Sequence, residues 1–225
     1  MDFHYDPIPL PKRKRLSSEE SITEAKAYYD FIRTRHTVRD FTAEPVPREV
    51  IETCLLAAGT APSGANHQPW HFVCVSDSET KKKIREAAEA EERDFYGGKA
   101  GEEWLNDLKE MGTDANKPFL ETAPWLIAIF AERYGVDDEG EKRKNYYTSE
   151  SVGIATGILI NALHCAGLST LTHTPNPMKF LNEILGRPGN ERPYILLVVG
   201  HAAVDAMIPR AAAAKKPLDQ IATFK

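Results

Sequence analysis

Cysteine is scarce in this sequence. The three present, Cys54, Cys74 and Cys165, are odd in number, each lies in an apolar stretch, and no two stand at metal-ligand spacing. This argues against a disulfide framework and a cysteine-built zinc site, and for buried thiols in a reducing compartment. Glycine-rich phosphate loops are also missing. No G-x-G-x-x-G follows a strand-like run and no G-x-x-x-x-G-K-S/T occurs, so dinucleotide-fold and P-loop readings lose their main support. There is no excess of positive charge: the net charge is -5, which speaks against nucleic acid as the main partner. The opening MDFHYDPIPLPKRKRL lacks the apolar core of a secretory signal. One stretch, SVGIATGILINALHCAGL at 151–168, is long enough to suggest a membrane span. It carries Ser151, Thr156, Asn161 and His164 and runs into strand-like sequence, so it reads as the central buried helix of a soluble domain. No repeats or low-complexity tracts occur.

What is present is ordinary globular material: 225 residues, 42% hydrophobic and 27% charged. A chain of this size buries roughly 70% of its unfolded surface and supports a full core. Residues 1–20 read as an extended arm with Pro7, Pro9 and Pro11 followed by KRKR at 12–15; the basic run is a solvated arm or a nuclear signal. Residues 21–225 read as a single domain. Apolar stripes at i, i+3, i+4, i+7 predict helices over 22–34 (Ala25, Tyr28, Tyr29, Ile32) and from Pro47 (Ile51, Cys54, Leu55, Ala58), the second stopped by Gly59. Strands are expected at 71–75, 125–132, 169–174 and 194–202. Further helices are expected at 78–97, capped by Ser78, and at 146–167 and 177–185. The segment 97–117 has little periodicity. This loose alternation predicts an α+β fold, a central mixed β-sheet surrounded by helices.

Several constellations could carry chemistry. RHTVR at 35–39 can converge two guanidinium forks and a hydroxyl on an anion, or be a solvated helix end. His67 and His71 are four apart, but Pro69 between them spoils the helix a metal pair needs, so no metal site is expected. Ser63 lacks the glycine two residues earlier that a nucleophile elbow requires, since Ala61 stands there. GTAPSGANHQPWHF at 59–72 is poor in side chain, as befits a loop or a place where backbone approaches a ligand. Glu92 and Tyr96 share a helix face, and with Lys117 they suit an amino acid ligand that carries both charges. The other reading of Glu92 is a solvated charged face.

Together these pieces resemble the nitroreductase-type flavoprotein superfamily, and within it the branch that removes halogen from tyrosines. The similar stretches are RHTVRDF, AGTAPSGANHQPW, EAEERDFY with EEWLNDLK, FLETAPWLI, NYYTSESVGIATGILINAL, AGL with THTP, ILGRP and KKPLDQI, which run in order from about residue 28 to the C-terminus. The resemblance implies FMN held between the subunits of an arm-exchanged homodimer of nitroreductase-like fold. By it, Arg35, His36, Thr37 and Arg39 hold the phosphate, ribityl chain and pyrimidine edge of the flavin, and Lys215, or Lys216, reaches the phosphate. Ser63 and Gly64 pack against the ring, and Thr172, His173 and Thr174 lie along it. The Thr174 hydroxyl sits near N5, as the catalytic group that stabilises one-electron-reduced flavin. Ala65 offers its amide to a phenolate. Glu92, Tyr96 and Lys117 form a lid at about 92–117, Glu92 taking the substrate ammonium, Lys117 and Tyr96 its carboxylate.

The implied activity is FMN-dependent reductive dehalogenation of 3-iodotyrosine and 3,5-diiodotyrosine, and also of bromo- and chlorotyrosine, to tyrosine and halide. The rivals are a general nitro or quinone reductase using NAD(P)H and a non-catalytic flavin or halotyrosine binding protein. Both NAD(P)H and a partner reductase are open as electron donor. Animal members of the branch carry an N-terminal membrane anchor; none is evident here, so a soluble cytoplasmic protein is expected.

Overall fold

A computed structural model describes residues 5–99, 101–136 and 139–225, with Lys99 described by its backbone only. The chain divides into two compact units, Met1–Thr34 and Arg35–Lys225.

In the first unit, helix α1 spans Ser18–Ile32. It starts a turn earlier than its apolar stripe suggests because a capping box nucleates it. The Glu20 amide donates to Ser17 Oγ at 3.1 Å and the Ser17 amide to Glu20 Oε2 at 2.8 Å. No residue of α1 is buried; Ile22, Tyr28 and Tyr29 are all more than half exposed.

The second unit is built on a four-stranded sheet. Its elements in chain order are α2 (Arg48–Gly59), β1 (Trp70–Val75), α3 (Ser78–Asp94), α4 (Glu102–Glu110), α5 (Phe119–Thr122), β2 (Trp125–Glu132), β3 (Tyr134–Val136), β4 (Lys142–Lys144), α6 (Thr148–Cys165), β5 (Ser169–His173), α7 (Phe180–Ile184), β6 (Glu191–Gly200), α8 (Arg210–Ala213) and α9 (Leu218–Ile221). The sheet order is β1-β2-β6-β5, and β3 and β4 form a separate hairpin. Every pairing within the four-stranded sheet is antiparallel, which corrects the expectation of a mixed sheet. Among the described residues the one parallel element is an isolated bridge between Thr37 and Thr170, too short to count as a strand. Helices do surround the sheet, as expected.

Strand alternation explains the two-sided core. Along β2, Leu126, Ala128 and Phe130 face one cluster with Ile84 and Ala88 of α3, Leu120 of α5 and Leu181 of α7. Ile127, Ile129 and Ala131 face the other, with Ile51, Cys54 and Ala58 of α2 and Val152, Leu159 and Leu163 of α6. A strand buried on both faces reads as an unbroken apolar run rather than an alternation, and WLIAIFAE is such a run.

The stretch at 151–168 lies mainly in α6, where Ser151 Oγ donates to the Tyr147 carbonyl and Thr156 Oγ1 to the Val152 carbonyl, each at 2.7 Å. Asn161 likewise donates to the Gly157 carbonyl at 2.8 Å, and among the described residues no helix is long and apolar enough to cross a membrane. Gly167 ends it at φ 79°, with the Leu168 amide reaching back to the Leu163 carbonyl at 2.9 Å. Helix α3 is capped by Asp77, whose side chain accepts from the Thr80 amide, not by the neighbouring Ser78.

Candidate active site

Two local devices deliver the predicted residues. The first is the segment from Arg35 to Phe41, laid along the edge of the sheet. The Val38 amide donates to the Thr170 carbonyl at 3.2 Å and the Thr42 amide to the His201 carbonyl at 2.9 Å. Val38 and Phe41 are buried in the core. A strand-like course, with side chains alternating between faces, turns Arg35, Thr37 and Arg39 away from Val38. The helix-end alternative for this motif does not hold, since α1 stops at Ile32.

The second device is α3 with the single π-helical turn Phe95–Lys99 that follows it. It carries Glu92 and Tyr96 over the carboxyl end of β5. Together these devices wall a cavity of about 240 Å³ lined by Arg39, Glu92, Tyr96, Lys117, Thr172, His173 and Thr174. Seven predicted site residues, drawn from four separate chain segments, therefore meet in one place.

Within it, Glu92 Oε2 and Lys117 Nζ lie 3.2 Å apart, with side chains 13% and 4% exposed. Lys117 Nζ also donates to Thr113 Oγ1 at 3.0 Å and stands 5.9 Å from the centre of the Tyr96 ring, within cation–π reach. The Tyr96 hydroxyl donates to the Thr113 carbonyl at 3.3 Å. Burial, reinforced by Glu92 and Asp114, holds the Tyr96 phenol above its ordinary value against the opposing Thr113 bond and Arg39. His173 is driven down to about 3, first by burial and then by the charge of Lys117. It is a neutral imidazole at neutral pH, and its buried Nε2 has no partner among the described residues.

The rest of the wall falls mostly within the lid expected at about 92–117, although no residue pattern singles out its members. Phe95, Trp104, Leu108, Thr113 and Phe119 also line the cavity. Trp104 and Leu108 come from α4, inside the segment read as aperiodic. Their spacing of four was the available signal, but with so short a helix it marks no longer stripe. No residue of α4 is buried, and Trp104 meets the Phe95 ring edge-on at 4.9 Å between ring centres.

Other predicted residues stand outside the cavity. Ser63, Gly64 and Ala65 form a tight turn after α2, in which Ser63 Oγ accepts the Gln68 amide at 2.9 Å. Ala65, Asn66 and Gln68 all hold left-handed backbone, at φ 49°, 55° and 50°, a costly arrangement for residues with a Cβ. Gly64 has a reason within the chain: a Cβ there would meet the Tyr146 carbonyl oxygen at 2.7 Å. Ala65 is exposed. Lys215 is also exposed, its Nζ donating to the Ala212 carbonyl at 2.7 Å.

The residues fit a phosphate-bearing flavin. Arg35, His36 and Arg39 are only partly exposed, and among the described residues none of their side chains is engaged in a hydrogen bond or ion pair. Thr172 and Thr174 are exposed, with hydroxyls likewise unengaged. Unpaired, half-buried guanidinium groups call for an anion, and free hydroxyls on a strand edge for a polar ring rim. Among the described residues no cluster that could hold a metal ion occurs.

The fold and this site define an FMN-type flavoprotein of the nitroreductase class, and the Nitroreductase family model matches residues 32–201: the chain belongs to the nitroreductase family, and within it to the iodotyrosine deiodinases. Iodotyrosine deiodinase of Haliscomenobacter hydrossis is 54% identical over 191 residues, covering 85% of this chain and 86% of that protein. Iodotyrosine deiodinase 1 of Homo sapiens is 43% identical over 204 residues, covering 90% and 70%. A crystal structure of oxidised iodotyrosine deiodinase bound to FMN and 3-iodo-L-tyrosine superposes with a TM-score of 0.72 at 32% identity, covering 84% of this chain and 95% of that one.

Proposed function

We propose that this chain is an FMN-dependent oxidoreductase that removes halide from halotyrosines. Its substrates are 3-iodotyrosine and 3,5-diiodotyrosine, with bromo- and chlorotyrosine following by the same chemistry. The observation that carries this reading is the Glu92–Lys117 pair, buried beside Tyr96 in a cavity that also holds Thr172 and Thr174. Two opposite charges facing each other in a half-apolar recess match a ligand that brings one of each. A zwitterion splits the pair: its ammonium replaces Lys117 at Glu92, and its carboxylate replaces Glu92 at Lys117, with Tyr96 beside it. One internal ion pair is thereby exchanged for two charge-assisted contacts. The relatives named above, and the solved structure with 3-iodo-L-tyrosine, support the same substrate class.

Arg35, His36, Thr37, Arg39 and Lys215 hold the phosphate and ribityl end of the flavin in this reading. Ser63, Gly64, Thr172, His173 and Thr174 stand at its ring. Bound FMN supplies two electrons which, with one proton, convert carbon–iodine to carbon–hydrogen and release iodide. The Thr174 hydroxyl donates a hydrogen bond at N5. The Ala65 amide, on a turn already held in left-handed geometry, donates to the substrate phenolate, a fixed dipole that favours the anion over the phenol. Closing α4 over the ligand excludes water.

The Ala65 turn is not part of the cavity wall in one chain, and a homodimer with FMN at its interface resolves this: each copy completes the other's site. The bare apolar surface of Leu56 on α2 and Ile154 on α6, 75% and 46% exposed, supports a second copy on that layer. An exchange of N-terminal arms between the copies completes the same reading. A cytoplasmic location, and NAD(P)H or a reductase as electron source, belong to the same proposal.

Flavin fluorescence tests it. Adding 3-iodotyrosine to the FMN-loaded protein quenches the flavin as the phenolate stacks on it. Absence of quenching, with rapid NAD(P)H-driven turnover of a nitroarene, would refute the reading in favour of a general reductase.

A further inference from the structure

The clamp residues Glu92 and Lys117 sit on different segments, and something must hold those segments in register. Lys117 precedes α5, and its carbonyl accepts the Leu120 amide at 3.1 Å. Its own amide is taken by Glu89 Oε1 at 2.7 Å. That same Glu89 oxygen accepts from Arg85 Nε at 2.7 Å. Arg85 in turn donates from Nη2 to Asn116 Oδ1 at 3.0 Å and from Nη1 to Glu121 Oε1 at 3.3 Å. One turn back, Lys81 Nζ, 8% exposed as a residue, donates to the Glu121 and Ala123 carbonyls at 2.9 and 2.8 Å.

Lys81, Arg85 and Glu89 are successive i, i+4 positions on α3, so they form one stripe. Among the described residues, every side-chain partner of that stripe beyond α3 itself lies between Asn116 and Ala123. The stripe therefore grips the backbone that carries Lys117, from the same helix that carries Glu92 one turn further on. Glu89 and Arg85 do not line the cavity.

We infer that Glu89, supported by Arg85, is a positioning residue of the amino acid clamp: by taking the Lys117 amide it sets the Lys117 ammonium opposite Glu92 at the spacing a zwitterion needs. The inference rests on the proposed function and names the group that fixes the selectivity of that site. The charge state agrees with it. Burial pushes the Glu89 carboxyl up, but the Arg85 bond and the Lys117 amide outweigh this and leave it below the ordinary carboxylate value, so the acceptor is ionised at neutral pH.

The test compares two ligands on FMN-loaded protein by flavin fluorescence: 3-iodotyrosine, and 2-iodophenol, which has the iodinated ring without the zwitterion. Glu89→Ala is expected to weaken 3-iodotyrosine by about tenfold or more, the equivalent of one charge-assisted hydrogen bond. Affinity for 2-iodophenol and for FMN stays within about twofold, and Glu89→Gln, which keeps an acceptor oxygen, recovers part of the loss. A merely structural role would weaken both ligands alike, and that result overturns the inference, as does unchanged affinity for 3-iodotyrosine. Should the alanine variant not fold, the glutamine variant carries the same two-ligand comparison. If the unmodified protein binds no 3-iodotyrosine, the functional reading falls and takes this inference with it. If the unmodified protein binds and the variants bind equally well, only the inference falls.

Discussion

Replacing Glu92 with glutamine perturbs the clamp with almost no change in shape. In the ligand-free chain Glu92 neutralises Lys117 across 3.2 Å, where the side chains are 13% and 4% exposed. In the proposed exchange a zwitterion trades that pair for two, so the carboxylate counts twice, as partner of the incoming ammonium and as competitor of the incoming carboxylate. Loss of a hydrogen bond to a charged group costs about 1.5–3 kcal/mol, or roughly 10- to 150-fold in affinity. Glu92→Gln should therefore weaken 3-iodotyrosine by up to about that factor, the freed Lys117 offsetting part of the loss, while FMN stays bound.

The competitor role gives the opposite sign for a ligand that has lost its ammonium. An iodinated hydroxyphenylpropionate meets Glu92 as a like charge next to Lys117 in the native protein. In the variant it meets a Lys117 left with Thr113 Oγ1 at 3.0 Å as its hydrogen-bond acceptor. Its affinity should rise. Titrating both ligands into native and variant protein, again by flavin fluorescence, gives a crossed pattern. Parallel losses for the two ligands, or no loss for 3-iodotyrosine, would refute the zwitterion exchange.

Two further outcomes follow from groups around the site. His173 has a folded value near 3, set by burial and then by Lys117, against about 6.5 unfolded. A base depressed in this way contributes stability above its unfolded value and loses it as pH falls toward the folded one, at up to about 1.4 kcal/mol per pH unit. Urea midpoints of flavin-free protein should thus fall between pH 7 and pH 5 more steeply than those of His173→Thr. At the turn, Ala65→Gly should stabilise the fold by about 0.5–1 kcal/mol by relieving its left-handed backbone. Gly64→Ala should cost about 1–3 kcal/mol, because its Cβ would meet the Tyr146 carbonyl oxygen at 2.7 Å. Thermal unfolding of the two variants should therefore bracket the native protein.

Much of the fold was legible because its strongest elements are local patterns. WLIAIFAE matches β2 residue for residue, since a doubly buried strand between Pro124 and Arg133 leaves no other reading. Strand order and direction were not legible. Antiparallel pairing of β5 with β6, for example Leu171 with Val198, depends on which distant run each strand meets, and no local period reports that. The β3–β4 hairpin escaped because its second strand, Lys142–Lys144, is wholly exposed and carries no apolar alternation.

For the site, residue pattern alone placed Glu92 and Tyr96 on one face. It offered Lys117 as a third member but could not fix its place, because α4 lies between. The resemblance to a known family joined them, and the structure pairs them directly. Glu89 stayed hidden for a different reason. On a charged helix its carboxylate reads like any other, and only the backbone amide it grips sets it apart.

Reduced flavin in this protein should cleave the carbon–halogen bond of a bound halotyrosine. The most direct measurement reduces the FMN-loaded protein with dithionite, adds 3-iodotyrosine without oxygen, and follows iodide and tyrosine together with flavin reoxidation. One iodide and one tyrosine are expected for each flavin reoxidised, with much slower iodide release when the ligand is 2-iodophenol at the same concentration, since it lacks the zwitterion that closes the clamp. Flavin that stays reduced in the presence of 3-iodotyrosine, with no iodide released, would contradict this reading.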